Sequence, residues 1–381
     1  MKIVADENMP LVEGLFNELG QVTRLPGRNM TAQDVKDADI LLVRSVTKVN
    51  ESLLSGSNVK FVGTATIGTD HVDQAWLSEQ GIGFANAPGC NAHSVVDYVI
   101  SALICLGQDD DRALTDLSVG VIGAGNVGGR LIHRLKKLGV KVKGFDPFKD
   151  DETLSLTSLD EVLACDVVSL HVPLTKDGEH PTHHLIDEDA LRSMKPNAIL
   201  INSARGPVVD NSALKQHLIL FPEFKAVLDV WETEPEVDLE LLELVDLGTA
   251  HIAGYSLDGK FKGTFQIFSE VCKYFGLPNR KRLPQMLPKP DLVQVGFATG
   301  ASFESVFPRL VQVAYDIRRD DRALRRAVVR SENIPEAFDL LRKHYPVRRE
   351  FSSLTVKMRK NDTANSGKFE AAGFKVKVQS K

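Results

Sequence analysis

Three short segments of the chain end apolar runs with residues whose chemistries complement one another: Arg205 in NSARGPVVD, Glu234 in LDVWETEPE and His251 in GTAHIAGYS. Histidine is the side chain whose ordinary pKa lies nearest neutrality, so His251 suits removal of a proton from a hydroxyl. A carboxylate bonded to its far ring nitrogen fixes the tautomer and stabilises the imidazolium that forms, a role that suits Glu234. A planar guanidinium pairs with a carboxylate and polarises a neighbouring carbonyl, which suits Arg205. Together they fit hydride removal from the secondary alcohol of a 2-hydroxy acid. Taken singly, each has a plainer reading as a solvated histidine or a surface charge, so the assignment needs a hydride acceptor.

The stretch VGVIGAGNVGGR, residues 119–130, points to one. Gly123, Gly125 and Gly128 keep the G-x-G-x-x-G spacing between a predicted strand and the amphipathic helix NVGGRLIHRLKKLG. In that context the first glycine permits a tight turn, the second lets backbone approach a pyrophosphate, and the third lets helix pack on strand. The helix opening at Asn126 and Val127 then offers N–H groups to the anion. About twenty residues on, KVKGFDP places Asp146 where a carboxylate accepts hydrogen bonds from an adenosine ribose and repels a 2′-phosphate. NAD is therefore expected rather than NADP, with Lys149 the one nearby cation that softens the preference.

These residues need a scaffold, and the rest of the chain reads as one. A length of 381 residues implies two or three domains. Short apolar runs (KIVAD, ILLV, KFVGT, IGFAN) alternate with helical spacing; a long helix runs through AHSVVDYVISALICLG; then KVKGFD, DVVSLHV, AILINS, FKAVLDV and DLGTAHIA continue the alternation. Near-continuous apolar strands separated by helices suit parallel sheets covered on both faces, so two α/β units in series are expected. GLPNRKRLPQMLPKP reads as a linker, beyond which PDLVQVGF and FKVKVQ are predicted strands around helices, with no phosphate loop or acid/base cluster.

Composition excludes several partners. A formal net charge of -5 gives no field for nucleic acid, and the basic excess after Leu341 lacks the interleaved aromatics of a nucleic-acid surface. The start, MKIVADENMP, lacks the features of a signal peptide, and no apolar run reaches membrane-spanning length, so no membrane partner and a cytoplasmic location are expected. Cys90, Cys105, Cys165 and Cys272 are too scattered for a zinc pattern. In DGEHPTHHL, neighbouring His183 and His184 are expected to point apart, with no carboxylate or cysteine at ligand spacing to join them or His180. No metal is expected, and the segment reads as a loop over the cofactor.

The ARG, WExEP and HIAGY contexts of the trio, placed after an embedded nucleotide fold, resemble the D-isomer-specific 2-hydroxyacid dehydrogenases. LLVRSVTKV, FVGTATIGTDHVD, APGCNAHSVVDYV and HIAGYSLDGKFKG extend the likeness over most of residues 1–280, toward members that oxidise a phosphorylated D-2-hydroxy acid. The resemblance implies an α/β fold of two doubly wound parallel-sheet domains: a Rossmann-type NAD domain (93–256) inserted in a flavodoxin-like substrate domain (1–92 and 257–281). A C-terminal α+β dimerisation domain (282–381) follows, giving a homodimer. It also implies Ser45, Thr66 and Tyr255 as substrate contacts, and Asp146, Thr175, Asp229, Gly254 and the turn Ser203, Ala204 and Arg205 as cofactor contacts.

The residues themselves leave alternatives at several of these positions. Arg44 and Ser45 end the ILLV strand, where they receive a phosphate or simply face water. Backbone N–H groups around Thr66 make an anion nest or an ordinary turn. Tyr255 reaches a crevice or only packs, and Thr175 and Asp229 hold cofactor or act as caps. Arg348 and Arg349 in the tail are candidates to reach a neighbouring subunit's site, with no spacing or motif that places them there. Competing functions are oxidation of another D-2-hydroxy acid, such as 3-phosphoglycerate, and dinucleotide sensing without turnover.

Overall fold

The computed structural model describes residues 1–110, 112–298, 300–359 and 365–379. The chain forms two compact units, Met1–Asn91 with Ser256–Lys289, and Ala92–Tyr255 with Pro290–Lys381.

In the first unit, β1 (Lys2–Asp6), β2 (Gln21–Leu25), β3 (Ile40–Val43), β4 (Phe61–Thr64) and β5 (Gly83–Ala85) form a parallel sheet in the order β2-β1-β3-β4-β5. This is the flavodoxin-like order. Every residue of β3 and β4 is buried, as the continuous apolar runs ILLV and FVGT require of a sheet covered on both faces. Side chains alternate between the faces. Ile3, Ala5, Ile40, Leu42 and Phe61 join a core with Phe268 and Val271 of the helix Leu257–Tyr274, while Val4, Leu41, Val43 and Val62 join the opposite core. A Cβ at Gly63 would lie 2.3 Å from Ile267 Cγ2, so the helix seats on β4 only because that position has no side chain.

In the second unit, β6 (Ser118–Ile122), β7 (Lys141–Phe145), β8 (Val167–Leu170), β9 (Ile199–Asn202), β10 (Lys225–Leu228) and β11 (Leu247–Gly248) form a parallel sheet in the order β11-β10-β9-β8-β6-β7. The chain turns back between β6 and β8, the switch point at which open α/β sheets leave a crevice beyond the strand carboxyl ends. The helix Ala92–Asp109 is apolar nearly all round and correspondingly buried. One side meets the sheet core, and the helices Phe303–Ala314 and Ile317–Val329 pack on it as well.

The C-terminal region adds a three-stranded parallel sheet, β12 (Gln294–Gly296), β13 (Thr355–Arg359) and β14 (Lys375–Gln379), in the order β12-β13-β14. It shares its apolar core with the six-stranded sheet: Phe303, Phe307, Leu310, Ile317 and Phe351 belong to the same buried cluster as Val119, Val121 and Val227. Polar ties reinforce this. Asp97 pairs with Arg134 and accepts from the Phe351 N–H at 2.8 Å, and Ser101 Oγ donates to the Tyr315 carbonyl at 2.9 Å. Removing one partner from such a buried pair costs about 3–5 kcal/mol. No helix among the described residues is long and apolar enough to cross a membrane.

Candidate active site

The three glycines after β6 differ in their surroundings. Gly123 has φ +88°, and a Cβ there would lie 2.8 Å from the His171 backbone, so turn and space both demand glycine. A Cβ at Gly128 would sit 1.8 Å from the Gly123 carbonyl oxygen, so helix and loop touch at backbone distance. At Gly125 a Cβ would meet nothing within 4 Å, which leaves its backbone open to a ligand. The helix Gly128–Lys137 begins here, and its cap residue Val127 supplies no side-chain hydrogen bond to the first turn. Asn126 accepts from Arg130 Nη1 through its carbonyl at 2.6 Å. Asp146, just past β7, accepts from the Ala124 N–H at 2.9 Å, and Lys149 Nζ donates to the Ala124 carbonyl at 2.8 Å. Asp146 and Lys149 are thus both tied to the glycine loop.

The turn after β9 is held by buried Asn202, whose Oδ1 accepts from the Ala204 N–H at 3.1 Å and whose Nδ2 donates to the Arg205 carbonyl at 2.9 Å. Ser203 Oγ is buried with no hydrogen-bond partner. Such an orphan is expected where a ligand atom completes the site. Together with the open backbone at Gly125 and the uncapped helix start, it fits a dinucleotide.

His251 and Glu234 meet directly, His251 Nδ1 lying 2.5 Å from Glu234 Oε1, while Glu234 Oε2 accepts from the Trp231 N–H at 3.1 Å. Burial would raise the Glu234 carboxyl, but His251, the Trp231 N–H and the Arg342 guanidinium outweigh it and hold it below its ordinary value. His251 itself adopts φ +53°, a left-handed conformation that a side-chain-bearing residue keeps only when its surroundings impose it. Asp229, at the end of β10, imposes it. Its carbonyl accepts from the His251 N–H at 2.7 Å, and its carboxylate takes Thr249 Oγ1, the Ile252 N–H and the Ala253 N–H at 2.6, 2.7 and 2.8 Å. Burial pushes the Asp229 carboxyl up, against the pull of His251 and those donors. Asp229 therefore organises the loop that carries His251, Gly254 and Tyr255. Thr175 is likewise engaged in its own loop, its hydroxyl accepting from the Thr182 N–H at 3.1 Å.

In the first unit, Thr66 Oγ1 donates to the Gly68 carbonyl at 2.9 Å and contacts Thr64 Oγ1 at 2.8 Å. Among the described residues no acceptor engages the N–H groups of Thr66, Ile67 or Gly68, a loop backbone of the kind that binds carboxylates. Arg44 and Ser45 follow β3, with Ser45 exposed.

The histidine loop departs from expectation. His183 and His184 do not point apart: their rings stack at 4.1 Å, because His184 takes φ +52° and breaks the regular alternation. A carboxylate is also present, Glu232, with its Oε1 2.6 Å from His184 Nε2 and its Oε2 accepting from the Asn211 N–H at 3.0 Å. The three side chains bring ligand atoms within 4.8 Å of one another. Sequence spacing hid Glu232, which stands 48 positions away on the WETEP segment. Its oxygens are engaged by His184 and Asn211, so the group braces the loop against that segment. Sequence reading also missed Arg342 on the helix Ile334–Lys343, whose charge reaches Glu234 although no motif marks it.

A family model described as D-isomer specific 2-hydroxyacid dehydrogenase, NAD binding domain, matches residues 107–253, and a model described as a domain of unknown function matches residues 286–372. The erythronate-4-phosphate dehydrogenase of Pseudomonas putida is 50% identical over 364 residues, covering 94% of this chain and 95% of its own. That of Marinobacter nauticus is 47% identical over 386 residues, 99% and 100% of the two chains, and that of Escherichia coli K12 is 51% identical over 359 residues, 93% and 94%. Among solved structures, D-lactate dehydrogenase from Aquifex aeolicus, complexed with NAD and lactic acid, aligns with TM-score 0.62 and 27% identity over 72% of this chain and 95% of its own. NAD-bound 3-phosphoglycerate dehydrogenase of Entamoeba histolytica aligns with TM-score 0.64 and 25% identity over the same shares, 72% and 95%.

Proposed function

The chain belongs to the erythronate-4-phosphate dehydrogenases, within the D-isomer-specific 2-hydroxyacid dehydrogenase family, and from that premise we propose that Arg205, Glu234 and His251 carry its catalysis. The enzyme oxidises 4-phospho-D-erythronate to 3-hydroxy-2-oxo-4-phosphooxybutanoate in vitamin B6 biosynthesis, with NAD as cofactor. When bound, NAD supplies the hydride acceptor.

His251 Nε2 takes the proton of the 2-hydroxyl. Glu234 holds Nδ1 and stabilises the imidazolium as that proton arrives. Arg205 pairs with the substrate carboxylate and steadies the carbonyl oxygen as it forms. Asp229 keeps the His251 loop in shape through its hydrogen bonds to that loop. For the cofactor, Gly123, Gly125, Asn126, Val127 and Gly128 hold the pyrophosphate and Asp146 the ribose, with Thr175, Ser203, Ala204, Asp229 and Gly254 completing the contacts. Arg44, Ser45, Thr66 and Tyr255 contact substrate. The observation that carries this reading is the 2.5 Å contact between Glu234 and His251, in a loop whose backbone Asp229 fixes.

Initial-rate NAD reduction with 4-phosphoerythronate, erythronate and 3-phosphoglycerate side by side tests the reading, with a 2-oxo acid added to reoxidise retained NADH. A site built to pair a phosphate loses heavily without it, so erythronate turns over far more slowly. Equal or faster turnover of another acid would overturn the substrate and keep the chemistry.

Residues 282–381 serve as the dimerisation region of a homodimer that works in the cytoplasm. Supporting this, Val329 and Val347 are 76% and 72% exposed, and among the described residues no strand pairs with the outer edges of β12 and β14, features that a second copy would cover. The four cysteines are buried thiols outside any disulfide, as suits a reducing compartment. A monomer by sedimentation at micromolar concentration would refute the dimer.

A further inference from the structure

The loop 251–255 is gripped from two sides. On one side Asp229 holds the N–H groups of Ile252 and Ala253. On the other, the C-terminal region reaches it through arginines. Arg348 is buried, donates through Nη2 to the Ala253 carbonyl and to the Ser94 carbonyl, and lies 4.3 Å from the Tyr315 ring centroid. Tyr315 and Tyr345 both donate to Asp320 Oδ2, at 2.9 and 2.6 Å, and Tyr345 meets Tyr255 edge to face at 5.8 Å. Arg342 lies over the Tyr255 ring at 5.8 Å, its side chain only 16% exposed. Its Nη1 stands 3.8 Å from Asp339 Oδ1, too far for a firm hydrogen bond, and its Nε is buried with no hydrogen-bond partner. A guanidinium placed this way is not held by a full set of ion pairs of its own. Its neighbours are the rings of Tyr255 and, at 5.9 Å, Phe338, with Asp339 at the rim, and its charge also pulls on the carboxylate behind His251.

We propose that Arg342 is a positioning residue of the dehydrogenase: the C-terminal region supplies it to fix the Tyr255 ring and to lend positive charge to the Glu234–His251 pair. This rests on the reading of Glu234 and His251 given above, and it gives the domain of unknown function over residues 286–372 a share in catalysis. The charged groups that act most strongly on Glu234 are His251 and Arg342; those that act most strongly on Arg342 are Tyr255, Glu234 and Asp339. Burial works against the Arg342 charge, but Tyr255 and Glu234 more than offset it and raise its pKa, as expected of a cation stationed among these groups. With Arg342 neutralised, Glu234 keeps the pull of His251 and the Trp231 N–H but loses that of the guanidinium. It then protonates at higher pH, and a protonated Glu234 no longer orients the imidazole as acceptor of the hydroxyl proton.

The test compares the full-length wild type with Arg342→Gln and Arg342→Lys. In Arg342→Gln, kcat falls about tenfold, KM for 4-phosphoerythronate rises less, and the acid limb of the pH profile moves up. Arg342→Lys restores most of the rate and the acid limb. Infrared titration of the Glu234 carboxyl, assigned by its loss in Glu234→Gln, needs no turnover and moves up in Arg342→Gln alone. A lowered thermal midpoint with kcat, pH limb and carboxyl titration unmoved would reduce Arg342 to a packing role and overturn the proposal. Should the wild type fail to oxidise 4-phosphoerythronate, the substrate assignment falls while the carboxyl titration still decides the place of Arg342.

Discussion

The glycine loop after β6 and the histidine loop after β11 both lie at strand carboxyl ends of one sheet, yet they are built on opposite principles. The glycine loop works by omission. A Cβ at Gly128 would lie 1.8 Å from a carbonyl oxygen, Gly123 needs φ +88°, and Gly125 leaves its backbone uncovered. Everything it needs stands within a few consecutive residues, with Asp146 one strand on. The histidine loop works by addition. Its shape depends on Asp229, 22 positions before His251, and on Arg348 from the far end of the chain. A local device is readable as a motif; a distributed one yields its reactive residues to sequence reading but hides what holds them.

The largest effect separates the chemistry of the two loops. His251→Ala removes the base and lowers kcat by about 10²–10⁴, the usual worth of a positioned acid or base, while leaving NAD affinity unchanged. Turnover and isothermal titration on one preparation measure both. Unchanged turnover would remove His251 from its role, and a parallel loss of NAD affinity would mean that the loops are not separable.

Next come the glycines, which divide within their own loop. Gly128→Ala drives a side chain into backbone, destabilises the fold by about 1–3 kcal/mol and weakens NAD binding with it. Gly125→Ala meets no protein atom within 4 Å, so the thermal midpoint of the unliganded protein stays within about 0.5 kcal/mol of wild type while NAD binding alone weakens. Equal destabilisation by both would erase the distinction between a packing glycine and a ligand-facing one.

The same division explains what could be read beforehand. Within the six-stranded sheet β6, β8, β9 and β10 are buried nearly throughout and stand out as apolar runs, as do β1, β3 and β4, while β7, KVKGF, is an edge strand with exposed lysines that its place before Asp146 still marks. β2, QVTRL, escaped notice because it is a polar edge strand with no fully buried residue. β13, TVKMR, alternates buried and half-buried positions within a basic stretch, so its charges outweigh its period. The meeting of Glu234 and His251 was legible because each follows a strand end in a chemically suggestive context, and Arg205 stands out for the same reason. Arg342 was not: it is one of many arginines in amphipathic helices, and only the fold brings it to Tyr255. Glu232 and His184 pair across 48 positions, a contact that no local spacing encodes.

A smaller effect concerns which dinucleotide the glycine loop selects. Asp146 and Lys149 oppose one another there, both bonded to Ala124, one through its N–H and one through its carbonyl. Asp146→Ala removes the ribose acceptor and the charge that repels a 2′-phosphate, and leaves Lys149 in place to attract one. The preference for NAD over NADP, taken as a ratio of kcat/KM, therefore falls about tenfold or more, a change on the order of 1.4 kcal/mol. The histidine loop has no part in this, so the rate at saturating NAD changes less than the ratio. A preference that survives the substitution would shift cofactor choice to residues outside the loop.

The least effect near neutrality, and the one that contrasts two histidines, involves His171. It follows β8 beside Gly123, its Nε2 2.9 Å from Ser169 Oγ, and burial pushes it down from 6.5 to about 3. His251 has a carboxylate partner; His171 has a hydroxyl. In the unfolded chain His171 takes up a proton as pH falls through 6.5, whereas in the folded protein it does so only near 3. Protons therefore favour unfolding across that interval, and the stability held above pH 6.5 drains away as pH drops. His171→Asn keeps a polar group near Ser169 but removes the titration. Its stability between pH 6.5 and 4.5 then changes with pH by up to one proton less, about 1.4 kcal/mol per pH unit, while matching the wild-type slope above pH 7. Denaturant unfolding across that range measures the slope. An unchanged acid slope would mean that His171 is protonated in the folded state after all, and that the wall behind the glycine loop is charged.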